Sequence, residues 1–140
     1  MSIDRGDSHI ASAKTWNRAC RHIAVYLWWA AERGLAAKGV DKKALAKAPI
    51  KYFIAHCDTK LWDEDFTTEG GAFAAARYDT YLRLINHRAT ELGIDGYQFR
   101  LEQKTNAYFF GVLDGLLAEW REVHVKAPKK PAAVKKKKKR

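Results

Sequence analysis

The segment from residue 16 to residue 31 constrains the fold more than any other part of the sequence. Its apolar side chains recur at helical spacing, and other apolar residues fall outside that stripe. The stripe consists of Trp16, Cys20, Ile23, Leu27 and Ala30, while Val25, Trp28 and Trp29 lie off it. A helix that is apolar on several sides packs inside its fold. We therefore expect a helix over about residues 14–33 at the centre of a mainly α domain.

The remaining sequence predicts three or four further helices. Asp41 caps a short helix to about residue 48, and Pro49 is placed to open the next. Later helices are expected over about 67–90, after Thr67 or Thr68 as the cap, and over about 105–123. Alternating apolar residues indicate a short strand over 97–101. The predicted fold is a single compact domain of about four to five helices.

Charge divides the chain into a body and a tail. The formal net charge is +10, yet residues 126–140 hold eight Lys, one Arg and no acid. Residues 1–125 are therefore almost neutral. A run of like charges repels itself and does not fold. We expect a loose N-terminal arm over 1–12, a helical domain over 13–125 and a disordered basic tail over 126–140.

The tail is the predicted polyanion-binding element. Its cations are Lys126, Lys129, Lys130, Lys135, Lys136, Lys137, Lys138, Lys139 and Arg140. Because no aromatic residue lies in this segment, base stacking is not available to it, and binding to nucleic acid would be neutral to sequence. The alternative is a tail that only increases solubility.

One flank of the first predicted helix is a candidate ligand groove. His22, Tyr26, Trp29 and Arg33 follow one another at helical spacing. An imidazole, a phenol, an indole and a guanidinium in a row could line a site for a ligand or a peptide. The alternative is that this flank packs on a neighbouring helix, with His22 hydrogen-bonded inside.

The acidic stretch over residues 58–69, after the helix that Pro49 is expected to open, is a candidate docking loop. It contains Asp58, Asp63, Glu64, Asp65 and Glu69. A calcium loop is not expected, because Lys60, Trp62 and Asp63 occupy positions that need ligands or a glycine. The loop would dock a basic partner, including this chain's own tail, or would only supply helix caps and solubilising charge.

The sequence offers little for catalysis. No two histidines lie three or four residues apart, and neither a C-x-x-C pair nor a glycine-rich phosphate loop is present. We expect no metal, no cofactor and no disulfide, with Cys20 and Cys57 as buried thiols. The apolar stretches are too short for a membrane span, and the opening residues do not form a signal peptide. A cytoplasmic protein without a membrane role, and more readily a non-enzyme than an enzyme, is the expectation.

Two blocks of the sequence resemble a family of small bacterial domains of unknown function. HIAVYLWWAAERGL at 22–35 is similar to the family's THIGMYLAWAIExGL. CDTKLWDEDF at 57–66, followed by EGGAF at 69–73, is similar to its CDGKLxxEDLNxEGNAF. The resemblance covers about residues 19–85 and leaves out the family's opening acidic stretch, which contains a Trp. It implies a mainly helical cytoplasmic domain and brings no known activity or catalytic residue.

Together these observations favour a protein-interaction module, accessory or immunity-like, with a tail that binds polyanions. The alternative is a nucleoid- or RNA-associated protein that acts mainly through the tail. Neither the protein partner nor the oligomeric state follows from the sequence.

Overall fold

A computed structural model describes residues 1–100 and 102–126, with side chains described as far as Val123. It is 71% helical, which confirms the predicted mainly α single domain. Six α-helices lie in the described part, somewhat more than expected. They are α1 (Ile10–Ala13), α2 (Trp16–Glu32), α3 (Lys42–Lys47), α4 (Pro49–Cys57), α5 (Thr68–Glu91) and α6 (Gln103–Trp120), and a π-helical segment (Arg121–Lys126) continues α6. The strands β1 (Ser2–Arg5) and β2 (Lys60–Trp62) pair antiparallel.

Helix α2 is the centre of the fold, as its sequence predicts. Eleven of its seventeen residues are buried, and α1, α3, α4 and α6 all pack against it. The largest fully buried side chains are aromatic and come from several helices: Tyr26 and Trp29 on α2, Phe53 on α4, Phe73 and Tyr81 on α5, and Phe109 on α6. Aromatic side chains from four helices thus meet in one continuous core.

Local capping signals set where three of the helices begin. Asp41 accepts a hydrogen bond from the backbone N–H of Ala44 at the start of α3, and Pro49 is the first residue of α4. The hydroxyl of Thr67 accepts from the N–H of Gly70 at the start of α5. Each of these caps was expected, because each depends only on neighbouring residues.

Residues 97–100 do not form the predicted strand. Their carbonyl oxygens accept hydrogen bonds from two guanidinium groups of α2 instead of from a second strand. Arg18 donates to the carbonyl of Tyr97 at 2.8 Å, and Arg21 donates to those of Phe99 and Arg100 at 3.0 and 2.8 Å. Phe99 is buried, so the apolar alternation reflects one anchored side chain in an irregular segment.

Residues 1–12 also differ from the expected loose arm. Asp4 lies opposite Leu61 across the β1–β2 pair, and the backbone N–H of Gly6 donates to the carbonyl of Thr59 at 2.7 Å. A 3-10 turn (Gly6–Ser8) then leads into α1. Gly6 packs so tightly on the Cys20 thiol that a Cβ there would lie 2.6 Å from the sulfur. The segment is polar because its side chains make specific hydrogen bonds, described below.

No helix in the described part of the chain is long and apolar enough to cross a membrane.

Adjacent glycines in the first turn of α5 provide a test of this packing. A Cβ at Gly70 would lie 2.2 Å from the carbonyl oxygen of Leu35, which is itself held by the backbone N–H of Thr67. A Cβ at Gly71 would meet nothing within 4 Å. We expect Gly70→Ala to lower the free energy of unfolding by about 1–3 kcal/mol through overpacking. We expect Gly71→Ala to leave it unchanged or raise it by up to about 1 kcal/mol. Urea unfolding of both variants measures this, and equal effects would contradict the packing.

Candidate functional site

A surface groove lies between β1 and the first turns of α5. Its volume is about 700 Å³. Ile3 and Phe66 contribute apolar surface, and small residues of α5, including Gly71, Ala72 and Ala75, leave the groove open. Because these side chains are small, they do not fill the space between α5 and β1. The groove therefore combines an apolar floor with enough space for several side chains of a ligand.

Three exposed carboxylates lie on this groove. Asp63 and Glu64 come from a 3-10 turn (Asp63–Asp65), and Asp79 comes from α5. Among the residues that the structure describes, neither Lys nor Arg lines the groove, but the N-terminal ammonium of Met1 does, and it pairs with Asp63 at 3.3 Å. Three carboxylates against one ammonium leave the described lining of the groove with a net negative charge.

The five acidic residues of the predicted docking loop lie in different surroundings in the structure. Only Asp63 and Glu64 reach the groove. Asp65 accepts a hydrogen bond from the backbone N–H of Trp62 at 2.8 Å, and burial raises the pKa of its carboxyl. Glu69 pairs with Arg121 at 3.0 Å, and the side chain of Asp58, at the end of α4, is 92% exposed. Asp79 was missed, because it lies on a helix far along the chain from the acidic stretch.

The flank of α2 that was considered as a ligand groove lies mostly inside the protein. Tyr26 and Trp29 are fully buried in the core, and His22 is nearly so. The Trp29 indole N–H donates to Asp114 at 2.8 Å, and the exposed Arg33 forms a two-point ion pair with the same carboxylate. The four side chains therefore do not share an open groove, and His22 faces a different set of partners.

The partners of His22 form a partly buried polar cluster around Asp4. One carboxylate oxygen of Asp4 lies 2.7 Å from Nε2 of His9, and the other lies 3.0 Å from Nε2 of His22. The hydroxyl of Tyr78 donates to the second oxygen at 2.6 Å. On the far side of His9, Nδ1 is hydrogen-bonded to the hydroxyl of Tyr97. We call Asp4, His9, His22, Tyr78 and Tyr97 the Asp4 cluster.

Five separate segments bring the Asp4 cluster together. Asp4 comes from β1 and is held in place by the pairing with β2. His9 follows the 3-10 turn after β1, and His22 comes from the middle of α2. Tyr78 comes from α5, and Tyr97 comes from the segment whose carbonyl is held by Arg18. The cluster therefore joins elements that are distant along the chain.

Hydrogen bonding decides the charge of Asp4. Burial alone would raise the pKa of its carboxyl, but the hydrogen bonds from His22, His9 and Tyr78 outweigh burial and hold the pKa well below its ordinary value of 3.8. Burial also lowers the pKa of His22, although Asp4 opposes that effect. Asp4 is therefore an anion at neutral pH, and the buried His22 favours its neutral form.

The tyrosines keep their protons in this environment. Burial and the charge of Asp4 raise the pKa of Tyr78 well above 10, and the same causes raise the pKa of Tyr97. A neutral His9 can donate from Nε2 to Asp4 while Nδ1 accepts from Tyr97, so all polar atoms of this pair are satisfied. In one tautomer, Nε2 of His9 and Nε2 of His22 each donate a hydrogen bond to Asp4. In the other tautomer, each of these nitrogens presents a lone pair.

Sequence reasoning singled out His22 and missed the other four members of this cluster, and it missed Asp4 and His9 because it assigned them to a loose arm. Asp4 and His9 lie five residues apart, on either side of Gly6, which allows the close approach to α2. Asp4 and His22 are eighteen residues apart, and His9 and Tyr97 are 88 apart. No local pattern indicates such pairs. The only available signal was a short polar segment holding both an acid and a histidine.

The described part of the chain ends at Lys126. Its backbone lies in the π-helical segment, and its side chain is not described. The other predicted polyanion-binding residues, from Lys129 to Arg140, lie outside the described residues.

Comparison with protein families gives a match over residues 2–109 to a domain of unknown function, DUF7832. The chain belongs to this family. No curated protein and no solved structure gives a significant match. The DUF7832 match confirms the resemblance to a family of unknown function and starts earlier than the two similar blocks. It includes every member of the Asp4 cluster and all three carboxylates of the groove, whereas Arg121 and the basic tail lie beyond it.

Removing the charge of Asp4 is expected to destabilise the protein. In Asp4→Asn the amide N–H₂ replaces one carboxylate oxygen and faces either His9 or the pair His22 and Tyr78, so we expect the free energy of unfolding to fall by about 2–3 kcal/mol. Asp58→Asn is the matched control, because this carboxylate is 92% exposed and Asn tolerates its left-handed backbone. The control should lie within about 0.5 kcal/mol of the parent chain. Urea unfolding at neutral pH measures both, and similar losses would argue against a central role for Asp4.

Proposed function

We propose that this DUF7832 protein is an interaction module that binds a basic segment of a protein partner in the acidic groove. The observation that carries this proposal is the coincidence of three exposed carboxylates with an apolar groove of about 700 Å³ whose described lining residues include neither Lys nor Arg. An accessory or immunity-like protein that neutralises a basic partner is one concrete form of this function.

The dimensions and chemistry of the groove support a peptide ligand. Its volume lies within the range of about 300–1,000 Å³ that is typical of ligand pockets. Apolar side chains of the ligand would cover Ile3 and Ala75, which supplies affinity through burial. Lys or Arg side chains would meet Asp63, Glu64 and Asp79, which supplies orientation and a faster association rate at low salt.

The walls of the groove are held in place before any ligand binds. Phe66 is buried, and the carbonyl of Asp65 accepts from the backbone N–H of Ala37 at 2.7 Å. Thr67, the next residue, caps α5, and its backbone N–H donates to the carbonyl of Leu35. A preformed groove lowers the entropic cost of binding.

A library of random short peptides displayed on phage tests this function with the full-length chain. We expect the enriched peptides to combine Lys or Arg with an apolar residue. Binding should weaken at least tenfold in the triple variant Asp63→Asn, Glu64→Gln and Asp79→Asn, and also at high salt, because exposed charges are screened. A library that enriches peptides without basic residues would contradict the proposal.

The matched control removes three exposed carboxylates elsewhere, through Asp58→Asn, Glu91→Gln and Glu102→Gln. It changes the net charge by the same amount and should bind the selected peptides as the parent chain does. Equal losses in both triple variants would mean that overall charge, and not the groove, determines binding.

A second function is favoured by the composition of the tail. Residues 126–140 carry nine cations and no acid, so we propose that they add sequence-neutral affinity for polyanions such as nucleic acid. This affinity would concentrate the groove near a polyanion or near a partner that is itself bound to one. In the alternative, a nucleoid- or RNA-associated protein, the tail would be the main effector.

A salt series of duplex DNA binding separates the tail from the body. If all nine cations contact phosphates, the slope of log affinity against log salt is about −8. Replacing Lys135–Lys139 with Gln should reduce the size of this slope by about 4–5. The control replaces five exposed body lysines, Lys38, Lys42, Lys43, Lys47 and Lys51, with Gln. A larger loss in the control than in the tail variant would place polyanion binding on α3 and α4 and would overturn the role of the tail.

A further inference from the structure

We propose that Asp4, His9 and His22 bind a divalent transition-metal ion of the zinc class. Each residue offers one ligand atom, and these three atoms lie within 4.8 Å of one another. Two imidazole nitrogens and one carboxylate oxygen form a donor set that suits Zn²⁺ and its first-row neighbours. The sequence did not indicate this site, because its ligands come from β1, from the turn before α1 and from α2.

The spacing of the three ligands is close to what one ion requires. Ligand atoms at about 2.0–2.1 Å from a tetrahedral ion lie about 3.3 Å from one another. Nε2 of His9 and Nε2 of His22 now lie 2.7 and 3.0 Å from the Asp4 carboxylate. The ligand atoms as a group lie within 4.8 Å, so binding requires the carboxylate to retreat by a few tenths of an ångström and the two imidazole rings to turn toward a common centre.

The second ring nitrogen of His9 already has a partner suited to metal binding. When Nε2 of His9 binds an ion, the proton moves to Nδ1, which then donates to the hydroxyl oxygen of Tyr97. The hydroxyl of Tyr78 likewise holds one oxygen of Asp4 in place. Hydrogen-bond partners of this kind orient the ligands of protein metal sites.

Space beside the two histidines fits a water molecule as the fourth ligand. A cavity of about 50 Å³ is lined by His9, His22, Tyr97 and Asn86, with Leu82 and Ile85 on its apolar side. One water molecule takes up about 30 Å³. The cavity is too small for an organic substrate, so the ion would serve to hold β1 and the turn after it onto α2. Three protein ligands and one water complete a tetrahedral zinc site.

The charge of the site also suits a cation. Asp4 is the only carboxylate among the three ligands, and Tyr78 and Tyr97 contribute neutral hydroxyls. Two guanidinium groups of α2 lie near the site, and both are directed to backbone carbonyls, Arg18 to that of Tyr97 and Arg21 to those of Phe99 and Arg100. Binding of a divalent ion would leave a net charge of +1, compared with the −1 of the buried carboxylate alone.

Calorimetric titration of the chelator-treated full-length chain with ZnCl₂ tests the proposal. We expect one ion per chain and a rise in thermal stability with zinc concentration. His9→Gln and His22→Gln should each weaken binding at least a hundredfold, and Tyr97→Phe should weaken it about tenfold because it only orients a ligand. The control is His87→Gln, at a histidine whose side chain is 73% exposed, and it should bind zinc as the parent chain does.

A measurement on the parent chain guards against variants that fail to fold. In ¹H–¹⁵N spectra of the imidazoles, zinc should shift Nε2 of His9 and of His22 and leave His56 and His87 unchanged. Absence of stoichiometric binding, or shifts confined to the other histidines, would overturn the proposal and leave the cluster as a network of hydrogen bonds. Peptide binding in the groove is measured separately, so failure of this test leaves that function standing.

Discussion

The arrangement of the N-terminal half depends on the hydrogen bonds that the Asp4 carboxylate accepts. This carboxylate accepts hydrogen bonds from His9, His22 and Tyr78, and so ties β1, the turn before α1, α2 and α5 to one point. A buried anion is costly unless it is fully hydrogen-bonded, so this position requires all of its donors at once. The same carboxylate therefore provides much of the specificity with which a short polar segment finds its place on a helical core.

Sequence reasoning succeeded where structure is determined locally. The central place of α2 follows from apolar residues on several sides, and the starts of α3, α4 and α5 follow from caps and a proline within a few positions. The 97–101 segment shows the limit. Its alternation is the pattern of a strand, but the buried guanidinium of Arg21 takes its carbonyls, and a residue nearly eighty positions away leaves no sign in that pattern.

The acidic groove was predicted in part and the Asp4 cluster hardly at all, because residues that are distant along the chain leave no local pattern. Asp63 and Glu64 are found by counting acids in a short stretch, while Asp79 joins them only because α5 folds back beside that turn. Of the Asp4 cluster only His22 was predicted as a site residue, since the members are separated by up to 93 residues along the chain. His22 was identified as a candidate from its helical flank, but its neighbours on that flank, Tyr26 and Trp29, turn out to be core residues.

The groove and the Asp4 cluster share two structural elements, and this links the two proposed functions. Ile3 on β1 lines the groove while the next residue, Asp4, faces the cluster, as expected for alternating side chains of a strand. Tyr78 lines the groove and donates to Asp4. Anything that fixes Asp4, whether its histidines alone or a metal ion between them, therefore also fixes one wall of the groove. In this fold the partly buried polar cluster is the support for the surface that a partner would contact.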